Sequence, residues 1–378
     1  MILHIAPDEK FIDIAFRLFE EVNPGGNKLV VITKSEELRY IKKSEFIRLS
    51  PEELERKDFN IYFKGVIAVV FHSLAHHNVK VPAGIKTLWI GFGYDYYDLI
   101  YSDSDELLLN QTRKLKWSLN KIGFLKNKLK KVPLLKVTNN IFKGVTSKIN
   151  TVNKMDYFSP VLNSEYQLVK QSVSKFAPGF IDWNYGTLED DLLRGFKDRK
   201  VFGNNILIGN SASFTNNHLE AFDLLTTLDI KNRDLVCPLS YGDLHYRNSI
   251  SAIGEKLFTD RFNSLTDFMP IEDYINILAS CSVVIMNHTR QQALGNIIIM
   301  LYLGAKVFLR KKNPVYDFFK DEGAVIFSIE DLELNPNLLH YEITDKDLAV
   351  NRQVLRKHWS RENIKFKTKE LIRIITTK

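Results

Sequence analysis

The sequence predicts an α/β protein built of two doubly wound domains facing a central cleft, and three observations carry that reading. At 378 residues the chain exceeds one ordinary core, which points to two domains of about 150–200 residues each. Short, continuously apolar runs, the kind buried on both faces of a parallel sheet, alternate with stretches of helical periodicity. The rhythm runs through both halves and is interrupted by a polar stretch, 183–205, that carries Gly186, Gly195 and Gly203.

Taken in order, Met1 to Ile5 reads as a strand, and with no basic n-region or cleavage site no signal peptide is expected. Asp8 is expected to cap a helix whose apolar residues Phe11, Ile14, Ala15, Leu18, Phe19 and Val22 share one face. Asn23-Pro24-Gly25-Gly26 ends it. Leu29–Thr33, Val66–Phe71 and Thr87–Ile90 read as buried strands. In the second half, strands at Ile206–Ile208, Leu235–Cys237, Leu265–Phe268, Val283–Met286 and Lys306–Leu309 alternate with helices. Those helices are predicted over Asn216–Leu228, Asp243–Leu257, Glu272–Ala279 and Gln291–Leu303. The pattern gives two Rossmann-like domains, 1–190 and 204–350, with a basic segment, 107–155, in the first and a basic tail at 351–378.

Hydrophobic residues make up 45% and charged residues 26%, the balance of a soluble globular chain rather than a disordered, collagen-like or polytopic membrane one. Cys237 and Cys281 cannot form a disulfide framework for this length, so a reducing cytoplasm is expected. The apolar run Ile297–Leu303 falls far short of the ~20 residues that a membrane span needs. The net charge of +7 is unevenly spread. Twelve Lys or Arg and no acid lie between Leu107 and Met155, and the tail from Asn351 holds nine basic and two acidic residues. The remainder therefore carries a net −12, which places anionic partners locally.

Candidate chemistry gathers after the predicted strands, where such sheets bind ligands. Gly209-Asn210-Ser211 leads through Thr215 and Asn216 into a helix start, where exposed amides can hold a phosphate; simple capping by Thr215 is the alternative. Arg290, followed by Gln291, Gln292 and Gly295, opens another predicted helix, where a cation opposes the macrodipole unless an anion is bound. Tyr241 and Asn313 follow two further strands. In the first half His72 ends a strand, and His76 follows at a spacing that could hold a metal, although no carboxylate or thiol completes a set. Asp95, among glycines and aromatics after a strand, suits either a general base or a turn-capping carboxylate.

G-x-G-x-x-G and P-loop signatures are absent, and the two D-x-D sequences, at Asp103 and Asp345, do not follow strands. Leu115, Leu119, Ile122, Leu125, Leu129 and Val132 form an apolar stripe, with Lys121, Lys128, Lys130 and Lys131 largely off it. Such a basic amphipathic helix suits an anionic membrane surface; the alternative is an ordinary surface helix docked on the first domain. The aromatics that nucleic-acid binding uses are sparse there, so no nucleic acid is expected.

Together these pieces resemble the bacterial 4-alpha-L-fucosyltransferase family, glycosyltransferase family 56. The likeness rests on Gly209-Asn210-Ser211, Thr215-Asn216-x-His218, Pro238 with Tyr241, Asp273-Tyr274, Arg290-Gln291-Gln292-x-x-Gly295 and Asn313-Pro314. Phe71-His72 and Gly93-x-Asp95-x-Tyr97 fit in the first half, so that the likeness covers roughly 60–330. Ala293 stands where the family has Gly, and the insert around 113–148 departs from the family pattern.

The resemblance implies a GT-B fold whose C-terminal basic helix crosses back over the first domain. It also implies metal-independent transfer of a sugar, N-acetylfucosamine in the family, from a TDP-linked donor to a lipid-diphosphate-linked acceptor in surface polysaccharide assembly. On that reading Gly209, Asn210, Ser211, Thr215, Asn216, Tyr241, Arg290, Gln291, Gln292, Gly295 and Asn313 hold the donor. Asp95 or His72 takes the acceptor proton, and the enzyme lies peripherally on the inner face of the cell membrane. A nucleotide-sugar epimerase on the same fold, or a non-catalytic membrane- or glycan-binding protein, are the alternatives.

Overall fold

The computed structural model describes residues 1–42, 44–55, 57–75, 78–127 and 147–377. The chain forms two units: Met1–Ser102, Pro133–Asp191 and His358–Lys378 make the first, Asp103–Val132 and Leu192–Lys357 the second. In the first unit, strands β1 (Ile2–Ala6), β2 (Asn27–Ile32), β3 (Ile47–Leu49), β4 (Ala68–His72), β5 (Lys86–Ile90), β6 (Tyr157–Ser159) and β7 (Gly179–Phe180) pair in the order 3-2-1-4-5-6-7. Every pair is parallel. All five residues of β1 are buried, as a strand covered on both faces must be.

The helix after β1 spans Ile12–Val22 and turns Ile12, Ala15, Leu18 and Phe19 inward. Asp8 does not cap it. Its carboxylate instead accepts from the amides of Arg39, Tyr40 and Ile41 at 2.5–3.1 Å, so the loop after β2 claims the side chain that the sequence assigns to the helix. The C-terminal helix Arg361–Thr376 belongs to this unit. Trp183 Nε1 donates to Thr368 Oγ1 at 2.9 Å, and Arg361 pairs with Asp190 at 2.5 Å.

In the second unit β8 (Asn205–Ile208), β9 (Leu235–Pro238), β10 (Phe262–Leu265), β11 (Cys281–Met286), β12 (Lys306–Leu309) and β13 (Phe327–Ser328) pair in the order 10-9-8-11-12-13, again all parallel. β10 ends where the sequence reading begins its strand at Leu265. Phe262 anchors it by packing edge-on against Phe222, with ring centroids 5.5 Å apart, over Gly254, where a Cβ would run into the Phe262 ring.

The basic segment is divided: its described residues 107–127 group with the second unit, where the sequence reading assigns the whole segment to the first, and 147–155 group with the first. The helix Asn110–Asn127 is tied down by Glu220, which accepts from the Thr112 amide at 3.0 Å and its hydroxyl at 2.7 Å. Leu115, first residue of the predicted stripe, packs on the second unit's core. Lys128, Lys130 and Lys131 lie outside the described residues, as does His76. The D-x-D carboxylates are in structural use: Asp103 caps a short helical turn, Asp105 pairs with Lys116, and Asp347 accepts from the Thr344 amide. Among the described residues no helix is long and apolar enough to cross a membrane.

Candidate functional site

Each sheet reverses its strand order once, between β1 and β4 in the first unit and between β8 and β11 in the second. In open parallel sheets the crevice at the carboxyl ends of such a strand pair is the place where ligands bind.

At the second unit's reversal, Gly209 leaves β8 with φ +64°, a turn favouring glycine, and the chain closes around Asn216. The Asn216 carboxamide accepts from the Asn210 amide (2.9 Å), donates to Ser211 O (2.9 Å) and Ser213 O (3.1 Å), and meets His288 Nε2 at 2.8 Å. One buried side chain thereby fixes both loops. Gln292 adds a second tie, donating to Asn210 Oδ1 at 2.9 Å and accepting from Thr215 Oγ1 at 2.6 Å. Asn210 in turn donates to the Tyr241 hydroxyl at 2.8 Å, and a bridge between Ala212 and Gly242 joins the loop after β9. Asn210, Ser211, Thr215, Asn216, Tyr241 and Gln292 thus form one hydrogen-bonded cluster. Thr215 spends its hydroxyl on Gln292 rather than on a helix cap, and the helix starts only at His218.

The helix predicted from Gln291 begins at Leu294. Arg290 therefore precedes the first turn within an irregular loop, its guanidinium donating to the Gln291 carbonyl at 2.8 Å. Gln291 is buried beside it. Ala293, where the resembled family has Gly, holds φ +59°, a conformation that glycine adopts without penalty. Gly295 lies inside the helix, where a Cβ would meet only Leu192 at 3.7 Å, so nothing there demands close approach. Asn313 caps the next helix through the Val315 amide (3.0 Å), while its own Nδ2 has no partner among the described residues. His218 Nε2 and His288 Nδ1, also buried, likewise have none among the described residues. Buried polar atoms of this kind call for a ligand or a water.

Sequence reasoning missed Arg310, which follows β12 and donates to Asn287 Oδ1 at 2.6 Å. Glu333 (3.1 Å) and Glu330 (3.5 Å) already balance its charge. A charged residue directly after an apolar strand was the available signal. Among the described residues no three His, Cys, Asp or Glu side chains gather as a metal site would require.

In the first unit His72 and Asp95 stand apart from solvent, 1% and 4% exposed. His72 bonds His4 Nδ1 at 3.0 Å through Nε2 and the Tyr185 hydroxyl at 2.9 Å through Nδ1. Asp95 accepts from Trp89 Nε1 (2.8 Å), Phe92 N (2.7 Å) and Leu74 N (3.1 Å), so it binds the loop after β4 to the loop after β5. Burial raises its carboxyl above the ordinary value against these donors. Both side chains organise loops in this structure, and neither reaches the surface.

The fold is shared with solved glycosyltransferases. Sucrose-phosphate synthase from Thermosynechococcus elongatus superposes with a TM-score of 0.64 at 10% identity, over 99% of this chain and 98% of that one. HepE from Anabaena, solved with UDP and glucose, gives 0.63 at 10% identity over 99% and 100%. WaaG, a glycosyltransferase involved in lipopolysaccharide biosynthesis, gives 0.60 at 11% identity over the whole of both chains. Two parallel-sheet units of seven and six strands on this plan are the GT-B fold.

Within that class, residues 192–352 match the family of 4-alpha-L-fucosyltransferases, glycosyl transferase group 56. The match lies wholly inside the second unit and takes in the Gly209–Asn216 and Arg290–Gly295 loops. Fold and family together make the protein a glycosyltransferase.

Proposed function

We propose that this chain transfers an N-acetylated deoxy sugar from a TDP-linked donor to a lipid-diphosphate-linked saccharide, at the cytoplasmic face of the membrane, in building a bacterial surface polysaccharide. The observation that carries the reading is the Asn216–Gln292 cluster, which gathers three strand-end loops at the second unit's strand reversal. Loops that meet at such a point border the ligand crevice of a parallel sheet, a place suited to a diphosphate. Arg290 supplies the cation from the same loop that carries Gln292 into the cluster. As the sugar–phosphate bond breaks, negative charge grows on the diphosphate, and fixed positive groups stabilise that charge without reorganising. No metal is assigned a role.

A thermal-shift screen against TDP, UDP and GDP tests the donor. TDP is expected to stabilise the protein selectively, by about 2.7 kcal/mol at a hundredfold excess over its dissociation constant, with or without EDTA. Arg290→Ala removes a charge-assisted contact worth about 1.5–3 kcal/mol, so TDP should bind roughly ten- to a hundredfold more weakly while the melting temperature without ligand holds. Equal TDP affinity in the two proteins would take Arg290 out of the site.

The membrane part of the proposal rests on the charge of 107–155. Each Lys or Arg near an anionic leaflet contributes about 1 kcal/mol, and salt screens the attraction. Co-sedimentation with phosphatidylglycerol vesicles is expected to exceed that with phosphatidylcholine and to fall when Lys121, Lys128, Lys130 and Lys131 are all changed to Gln. Equal recovery on both lipids would make the segment a solvated face only.

A further inference from the structure

We propose that Glu9 is the base that accepts the acceptor hydroxyl's proton, and that the rings of Phe11 and Tyr94 beside it form the ledge on which the acceptor sugar rests. The inference builds on the transferase reading above. Glu9 lies three residues beyond the end of β1, on the β1 side of the first unit's strand reversal, whereas the loop after β4 supplies the other side. That crevice is the ligand position of a doubly wound sheet, and Glu9 brings a carboxylate to it that is neither buried away nor fully solvated.

The setting is aromatic. Phe92 lies between Tyr94 (6.2 Å) and Tyr185 (4.7 Å) in near-parallel stacking, and Phe11 joins at 6.2 Å from Phe92. Phe11 and Tyr94 remain 38% and 48% exposed beside Glu9, so their rings are open to a ligand at this strand end. The Tyr94 hydroxyl donates to Glu9 Oε1 at 3.3 Å and aims the carboxylate. Asp95 and His72 find their function here as positioning residues. Asp95 holds the turn that carries Tyr94 through the Phe92 amide, and His72 holds Tyr185 against Phe92.

Burial raises the Glu9 carboxyl above its ordinary value, which makes the carboxylate a stronger base. Tyr94 and Lys10 pull it back and Asp8 pushes it further up; the Glu9 charge is also felt at Tyr185, and that of Asp95 at both Tyr94 and Tyr185. In the step, the acceptor O–H bond breaks and its proton passes to Glu9. The oxygen forms a bond to the donor's anomeric carbon, and the carbon–oxygen bond to the diphosphate breaks, its electron pair leaving on the nucleoside diphosphate.

The test uses the full chain, a short-chain polyprenyl-diphosphate-linked saccharide, and TDP-, UDP- and GDP-sugars, read by release of nucleoside diphosphate. Glu9→Gln is expected to cut kcat at least a hundredfold while TDP affinity stays within twofold of wild type. Tyr94→Phe should move the acidic limb of kcat/KM to higher pH, because Glu9 loses a donor. Glu9→Gln turning over within threefold of wild type overturns the base and leaves the transferase intact. A wild-type chain silent toward every donor overturns the transferase reading and the base with it. Independently of turnover, the carboxyl carbon resonance of Glu9 in labelled protein should shift when the saccharide is added. A Glu9 signal unmoved at millimolar saccharide overturns the subsite.

Discussion

Acidification from pH 7 to pH 5 is expected to destabilise both units by several kcal/mol, with the melting temperature flat above pH 7 and falling steeply below pH 6. The cause is four buried neutral imidazoles, two in each unit. His4 is pushed down to about 4 and His218 to about 3, both by burial, and His72 and His288 lie well below the ordinary value for the same reason. Unfolded, each titrates near 6.5. Below that pH the unfolded chain binds more protons than the folded one, so stability falls as pH falls, by about 1.4 kcal/mol per unit for each histidine. His4 alone, followed down to its folded value, accounts for about 3 kcal/mol, and His218 for about 5, against total stabilities of about 5–15 kcal/mol.

The hydrogen bonds explain why the rings resist charging. His4 and His72 bond each other at 3.0 Å, an arrangement in which one neutral ring donates and the other accepts, and a second proton would set two donors face to face. Glu9 and Asp95, raised by burial, bind protons more readily when folded and so oppose the trend, but only toward the carboxylate range. Circular dichroism melts at half-unit steps from pH 8 to pH 4 measure the effect. Equal melting temperatures at pH 7 and pH 5 would mean that these rings are protonated in the fold.

Much of this site was legible because strand ends announce themselves. Gly209-Asn210-Ser211 follows the apolar run of β8, and Asn287 to Arg290 follows β11; apolar runs buried on both faces locate the sheet, and the sheet locates the loops. What the sequence could not convey is who bonds whom. Asn216 reads as an ordinary turn residue, yet it joins two loops across 72 positions of chain through His288. Asp8, at a good capping distance from a helix, is drawn off by three amides some thirty residues away, a tertiary preference that overrides the local one. The same holds for Asp95, whose three donors come from β5 itself and from the loops after β4 and β5. The short strands β3, β6, β7 and β13, of two or three residues, carry too few side chains for any period to show.

Gly209→Ala is expected to destabilise the second unit by about 2–5 kcal/mol and to abolish nucleotide binding, whereas Gly295→Ala should do neither. At Gly209 the backbone holds φ +64°, which costs a non-glycine residue about 1–2 kcal/mol. The added methyl would sit 2.6 Å from Asn216 Oδ1 and 2.7 Å from His218 Nε2. Neither can retreat. Asn216 is held by both neighbouring loops, and His218 is fully buried and bonded to the Tyr246 hydroxyl at 3.0 Å. Forcing a methyl into such packing costs a further ~1–3 kcal/mol, and the relief comes from breaking the Asn210 and His288 bonds that shape the loops. At Gly295 the same methyl meets only Leu192 at 3.7 Å inside a helix, where alanine is favoured over glycine by about 0.5–1 kcal/mol. Differential scanning calorimetry and TDP titration of both variants decide the matter. If Gly209→Ala melts with the wild type and still binds TDP, the Asn216 cluster does not form the donor cradle; if Gly295→Ala loses TDP, its glycine touches the donor after all.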